Sequence, residues 1–152
     1  MSVPVALPVA VPISSSERIN GLAAVGAARL LLIAARNRPD RLARALQLVG
    51  RGARSEWSPI ARYVAERARK VVEAVSLRCA SHHGCLLRSV AVLLLTRWHG
   101  YSLTWQIGVH SPPPSSHAWV TFNGQPIGEP FDPLQLYTPI ITLTSGRDTP
   151  AP

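Results

Sequence analysis

The stretch from residue 79 to residue 132 changes its hydrophobic period partway along, and this change limits the folds open to the chain. Apolar residues recur at helical spacing over residues 85–98, and the pair His99-Gly100 ends that run. Over residues 103–110 every second residue is apolar, which is typical of a strand with one face on a core. The helical spacing predicts that Leu86, Val90, Leu93 and Leu94 are buried.

A small antiparallel sheet is predicted to follow this helix. Three prolines at 112–114 form a stiff link to a second strand at residues 118–122. The pair Asn123-Gly124 is the commonest tight hairpin turn, so residues 125–128 should pair back against that strand.

The N-terminal half of the chain reads as helical. After an extended Pro- and Val-rich arm at residues 1–15, helices are predicted at residues 17–36 and 40–49, with Ser16 and Asp40 as their N-caps. Ser58-Pro59 then opens the clearest amphipathic helix, running to about residue 75. Its period places Ile60, Tyr63, Val64, Val71, Val72 and Val75 on the core face, and Arg62, Glu66, Arg69, Lys70 and Glu73 largely on the solvent face.

These elements predict an α+β fold in which a helical N-terminal half packs on a small antiparallel sheet. We divide the chain into an N-terminal arm with helices at 1–55, which we expect to dock a partner or peptide, a core at 56–143 and a flexible tail at 144–152. A chain of 152 residues with 47% hydrophobic residues is long and apolar enough for one folded domain.

Charge and cysteine content limit the location and the partners of the protein. The net charge of +8 permits acidic partners, but the sequence has neither a reading helix nor interleaved aromatic and basic residues, so nucleic-acid binding is not expected. With two cysteines and no secretory signal, the chain is expected to be cytoplasmic with reduced thiols. The longest apolar helix candidate, residues 21–35, contains Arg29 and is shorter than a membrane span, so no transmembrane segment is expected.

One cysteine, one histidine and a carboxylate occur in an order that suits thiol chemistry. Cys85 begins a predicted helix, where the helix dipole lowers a thiol pKa, and His117 precedes a predicted strand that could bring a second positive charge. The hairpin would return either Glu129 or Asp132 to the histidine as its orienting acid. This order of parts is similar to papain-like and transglutaminase-like thiol sites.

Each of these residues also has a structural interpretation. Cys85 could be a small buried hydrophobe and His117 a hydrogen-bonded strand histidine. Cys79, His82, His83 and Cys85 could form a metal site, but their compact spacing matches no common zinc pattern. A Cys79–Cys85 disulfide would be unusual in the cytoplasm. We therefore expect neither a metal nor a cofactor.

Four short segments in this region resemble one known family. Gly-Cys-Leu-Leu-Arg-Ser-Val-Ala at 84–91, Ile-Gly-Val at 107–109, His-Ala-Trp-Val at 117–120 and Gly-Gln-Pro-Ile-Gly-Glu at 124–129 look like the lasso-peptide biosynthesis B protein in its stand-alone protease form. The segments follow the order of that family, and the specific likeness covers about residues 78–132.

The resemblance implies a transglutaminase-like cysteine protease that removes the leader from a ribosomally made precursor peptide. By motif position, Cys85 would be the nucleophile, His117 the base and Glu129 the orienting acid. Many relatives have Asp at that third position, and Asp132 is the second candidate. The resemblance also implies a preference for threonine next to last in the leader, a small leader-recognition protein as partner, and an ATP-dependent cyclase acting afterwards.

Three matters stay open at the level of sequence. The backbone N–H of Cys85 is one expected oxyanion donor, and Gln106 or His82 could supply the second. Hydrolysis and acyl transfer to an amine share the same thioester, so the sequence does not separate them. The alternative function is a non-catalytic peptide- or partner-binding module, in which the apolar helix and the N-terminal arm dock another chain.

Overall fold

The computed structural model describes residues 10–36, 38–54 and 58–144. Helices α1 (Ser15–Ala35), α2 (Pro39–Gly50), α3 (Pro59–Val75), α4 (Leu77–Ala80) and α5 (Cys85–Trp98) come first, with a 3-10 turn at His82–Gly84. Strands β1 (Thr104–His110), β2 (Ser115–Phe122), β3 (Gln125–Pro126) and β4 (Thr138–Thr144) follow, with a second 3-10 turn at Pro133–Gln135. The predicted α+β class, with helices before a small antiparallel sheet, is confirmed.

Helix α5 is the centre of the core. Every residue from Leu87 to Thr96 is buried, and the helix packs against α1, α3 and the strand β2. Its bounds match the prediction, since Gly84 ahead of it and the turn at His99 behind it are local signals. Leu86 departs from the expectation, because it remains 36% exposed while Leu87 turns inward.

Helix α3 faces the core with part of the predicted face, since Val71 and Val72 are buried as predicted. Ala61, Ala65 and Ala68 are buried, whereas Ile60 and Tyr63 are about two-thirds exposed, at 64% and 66%. Helix α1 approaches α3 closely at Gly21, where an added Cβ would lie 2.7 Å from Val71 Cγ1. The prediction of a solvent-facing Arg69 is also wrong, since its side chain is 10% exposed.

Helix α1 is longer than the apolar segment predicted from sequence. Ser14, and not Ser16, caps it through a capping box with Glu17, and the helix has 21 residues. By length and composition alone it could span a membrane, so the length argument against a span is wrong, and the lack of a transmembrane segment stays a prediction. In the structure Ala24, Val25 and Ala28 lie in the core shared with α3 and α5.

The sheet has the strand order β3-β2-β1-β4, and all its pairs are antiparallel. The Asn123-Gly124 turn returns the chain as predicted, but β3 pairs over two residues only. Strand β4, which has no counterpart in the prediction, adds to the other edge of β1. The predicted extended arm is described only from residue 10, and the predicted tail lies outside the described residues except for Thr144.

Candidate functional site

The loop before α5 fixes the position of Cys85. Ser76 caps the short helix α4, and the 3-10 turn His82–Gly84 leads directly into Cys85, the first residue of α5. Gly84 is required here by space, because a Cβ at this position would lie 1.7 Å from the carbonyl oxygen of Arg78. The thiol is half-buried and carries no disulfide.

Strand β2 supplies His117 opposite a glycine of β1. Gly108 is the cross-strand partner of His117, and a Cβ on Gly108 would lie 2.9 Å from both Trp119 and Tyr137. The absent side chain lets these two rings close over the strand. The imidazole of His117 stacks on Trp119 with ring centroids 5.8 Å apart and lies 5.4 Å from the Tyr137 ring. The imidazole is therefore held on two sides.

The hairpin after β2 brings Glu129 back to His117. Gly128 has φ of +67°, a left-handed conformation that turns the chain just before Glu129. The carboxylate Oε2 lies 3.0 Å from His117 Nε2, and the Glu129 side chain is 3% exposed. The other ring nitrogen, Nδ1, is thereby left to face the thiol of Cys85.

The structure therefore brings Cys85, His117 and Glu129 into one hydrogen-bonded chain. His117 hydrogen-bonds the Cys85 sulfur, and the backbone N–H of Ala118 donates to the same sulfur. Asp132, the second candidate for the acid, is used elsewhere: its Oδ1 accepts from the Leu134 N–H at 3.0 Å and begins the second 3-10 turn.

Electrostatic contacts favour a thiolate beside a protonated imidazole. Burial raises the pKa of the Cys85 thiol, but the hydrogen bonds from His117 and Ala118 and the nearby positive charges outweigh it, so the thiol pKa is lowered. The bonds to Cys85 and then to Glu129 raise the pKa of His117 to about 9. Burial acts to raise the pKa of Glu129, yet its bonds to His117 and Arg69 bring it below its usual value.

Arg69, Glu73 and Arg88 extend this chain, and the sequence analysis assigned none of them to the site. Arg69 donates to Glu129 Oε1 at 2.7 Å and to Glu73 Oε1 at 2.5 Å. Arg88 lies 3.8 Å from the same Glu73 oxygen and donates to the carbonyls of Cys79 and Ser81, at 2.8 and 3.1 Å. One buried network therefore links the acid to the loop that positions the nucleophile.

The other residues that the sequence suggested for the site, Gln106 and the possible metal ligands, lie apart from the hydrogen-bonded chain. Gln106 donates to Thr142 on β4, the strand on the far side of β1 from His117. Cys79 is buried while His82 and His83 are exposed, so the suggested metal ligands do not converge. Within the described ranges, no three His, Cys, Asp or Glu side chains are grouped to hold a metal.

Comparison with known families agrees with this geometry. A family model described as the transglutaminase-like superfamily matches residues 29–142. The chain belongs to the transglutaminase-like superfamily. The superfamily includes cysteine proteases and acyltransferases, and a chemistry of that general kind suits a thiol paired with a buried histidine. Searches of curated proteins and of solved structures found no match to the chain.

Proposed function

We propose that the protein is a cysteine peptidase that removes the leader from a ribosomally made precursor of a lasso peptide. The observation that carries the proposal is the hydrogen-bonded chain from Cys85 through His117 to Glu129. A buried carboxylate on one imidazole nitrogen and a thiol on the other provide a nucleophile, a base and an orienting group. The likeness of residues 78–132 to the lasso-peptide B protein supplies the substrate class.

Peptide cleavage by these residues would proceed through a thioester. The Cys85 thiolate attacks the carbonyl carbon at the leader–core junction, and protonated His117 gives its proton to the departing core amine. Water, deprotonated by His117, then attacks the thioester and releases the leader carboxylate with a free thiol. The backbone N–H of Cys85 is the proposed donor to the oxyanion, and His82, just ahead of it, is the remaining candidate for the second.

Acyl transfer to an amine is the competing reaction within the same superfamily. It would use the same thioester and replace water with an amine. The leader-peptidase resemblance favours hydrolysis, and the masses of the products distinguish the two reactions, since an amine acceptor adds its own mass to the leader.

The proposed partners are the precursor peptide, a small leader-recognition protein and the ATP-dependent cyclase that acts afterwards, all in the cytoplasm. Helix α1 offers a surface for the recognition protein, because its Ile19, Leu22 and Leu30 are 66%, 52% and 69% exposed. Leu22→Glu combined with Leu30→Glu should weaken cleavage of recognition-protein-bound precursor. Ile60→Glu, at an equally exposed apolar residue on α3, is the control and should not.

The deciding experiment mixes the purified protein with its recognition protein and precursor peptide, and follows the masses. We expect one new cut at the leader–core boundary, absent in Cys85→Ala and His117→Ala while both variants stay folded. Glu129→Ala should retain more activity than either, because the dyad still acts with a poorly oriented imidazole. A Cys85→Ala protein that cleaves at a near-normal rate would exclude the thiol mechanism.

The competing function is a non-catalytic module that binds a peptide or partner of the maturation complex. It predicts that the precursor stays bound to the unmodified protein without any cut, and that Cys85→Ala changes nothing. The alignment of Cys85 with the His117–Glu129 pair argues against it, because a binding module does not require a thiol beside an imidazole oriented by a buried carboxylate.

A further inference from the structure

Two neighbouring depressions lie at the start of α5, and neither is lined by Cys85, His117 or Glu129. Their volumes are about 460 and 490 Å³, and both are lined by Leu32 of α1 and Leu86 of α5. Leu86 directly follows Cys85 in the first turn of α5. The side chain that the two depressions share is therefore one residue along the chain from the nucleophile.

The first depression is mainly apolar. Ala35, Pro39, Leu42 of α2 and Ile107 of β1 also line it. Ile107 pairs with Ala118, the residue after His117, although no residue of β2 lines this depression. Leu86 is 36% exposed, and covering it with a large apolar side chain would remove that surface from water.

The second depression has a basic wall. Arg29, Arg78 and His83 line it, and Arg38 lies on the rim of the first. Among the described residues, no carboxylate forms an ion pair with Arg29, Arg38 or Arg78. Asp40, close in sequence to Arg38, lines neither depression.

Several other described arginines, Arg18 and Arg44 among them, likewise form no ion pair with a described carboxylate, whereas the arginines of α3 do. Arg62, Arg67 and Arg69 each bind a carboxylate of this chain. The groove thus combines an apolar floor with positive charge that the described carboxylates leave unpaired. The chemistry that complements it is a peptide segment with a large apolar and an acidic side chain.

We propose that the two depressions form one substrate groove, which selects a peptide carrying an acidic residue and a large apolar residue close to the scissile bond. The proposal rests on the proposed function for the position of that bond. Leu86, which lines both depressions, separates the two side chains, and the peptide passes over Cys85 in an extended conformation. Charge complementarity assigns the groove to substrate.

Binding is tested on the full chain carrying Cys85→Ala, with a pool of short fluorescent peptides that have Glu, Gln or Lys at one position and Leu or Ser nearby. Fluorescence anisotropy should give the tightest binding for the Glu and Leu peptide. Arg29→Ala with Arg78→Ala should weaken that binding roughly tenfold and remove the preference for Glu over Gln. The control, Arg18→Ala with Arg44→Ala, removes the same charge from exposed positions that line neither depression and should keep both.

Two kinds of result would contradict the proposal that this groove binds substrate. Equal binding of the Glu and Gln peptides, or an equal loss in the control variant, would mean general attraction to a basic protein. If the Arg29 and Arg78 substitutions changed only self-association, measured by light scattering, the groove would be a contact between two copies.

Cleavage by the unmodified protein separates this proposal from the proposed function. Cleavage with no preference for Glu would contradict the proposed substrate groove but would agree with the proposed peptidase function. If the Cys85→Ala chain bound Glu peptides selectively and the unmodified protein cleaved none, the groove would be supported and the proposed peptidase function would be contradicted.

Discussion

At the scale of single residues, the Glu129 carboxylate is the most constrained group of the site. It is 3% exposed and lies between the His117 imidazole and the Arg69 guanidinium. A buried charge with partners on both sides costs little net free energy, but removing one partner leaves an uncompensated charge in a poorly solvated place. Arg69 should therefore matter both for folding and for the charge state of His117.

The substitution Arg69→Met tests this dependence. We expect the free energy of unfolding to fall by about 3 kcal/mol, because Glu129 and Glu73 both lose a hydrogen-bonded cation. The neighbouring Lys70 is exposed, so Lys70→Met removes the same charge and should cost less than about 0.5 kcal/mol. Urea denaturation of both variants measures the difference. Equal losses of unfolding free energy would mean that the hydrogen-bond network of Arg69 does not stabilise the fold.

The ionisation of the thiol and the imidazole predicts the pH dependence of activity. The active pair needs Cys85 deprotonated and His117 protonated. Activity is therefore lost on the acid side below the lowered thiol pKa, and on the alkaline side as pH rises through about 9, the raised pKa of His117. The rate of peptide cleavage against pH should be bell-shaped with its alkaline limb near 9.

Glu129→Gln should shift the alkaline limb of this profile to lower pH. The neutral amide no longer stabilises the imidazolium, so the pKa of His117 falls and that of the Cys85 thiol rises. Asp132→Asn is the control, since Asp132 faces the Leu134 N–H. An unchanged profile in Glu129→Gln would show that the carboxylate does not act through His117.

The sequence analysis named Cys85, His117 and Glu129, the three residues of the hydrogen-bonded chain, because each lies beside a short-range sequence feature. Cys85 follows a helix-start glycine, and Glu129 follows the hairpin turn that returns it to His117. Arg88 was missed although it interrupts the apolar run of α5 and is 7% exposed. A charge buried in an apolar helix requires a partner, and that requirement was the available signal.

At the scale of elements, local signals set the bounds of helices better than their faces. The caps of α3 and α5 are short-range features, and both helices begin where the sequence predicted. The core face of α3 was only partly predicted: Val71 and Val72 are buried, but Ala61, Ala65 and Ala68 are buried with them, while Ile60 and Tyr63 are exposed. Which face packs inward depends on the partner helix, which the period of one helix does not reveal.

The turn before α5 should not tolerate a larger residue. Gly84→Ala places a methyl group 1.7 Å from the Arg78 carbonyl oxygen, so the backbone leading to Cys85 must move. We expect roughly a 100-fold loss of peptide cleavage, because a displaced nucleophile misses the productive geometry. Kinetic assays, with circular dichroism to check folding, measure the effect.

The same glycine-to-alanine change in α1 is the matched control. A Cβ on Gly26 meets nothing within 4 Å, so Gly26→Ala should keep full activity and stabilise the helix by up to about 1 kcal/mol. Near-normal cleavage by Gly84→Ala would mean that the loop adjusts without moving the thiol.

At the scale of the whole molecule, one core joins the helices and the sheet. Ala24 and Val25 of α1, Val72 of α3, Val92 of α5 and Trp105 of β1 belong to the same buried cluster. The fold class followed from the change of hydrophobic period, but the strand order did not. Strand β4 pairs with β1 from about 30 residues further along the chain; its Ile- and Thr-rich run favours a strand, but that local signal does not say which strand it joins.

The shared core predicts that the N-terminal helices cannot be removed without loss of the fold. Deleting residues 1–38 would uncover the surfaces of α3 and α5 that Ala24, Val25 and Ala28 now cover. Three buried residues lost from one interface, together with the Glu17–Arg67 ion pair at 2.7 Å, should abolish a cooperative urea transition and make the chain sensitive to thermolysin. A chain starting at Ala10 keeps α1 whole and should unfold like the full protein. A truncated chain that still unfolded cooperatively at an unchanged midpoint would make α1 an accessory element, and its role would then lie in docking alone.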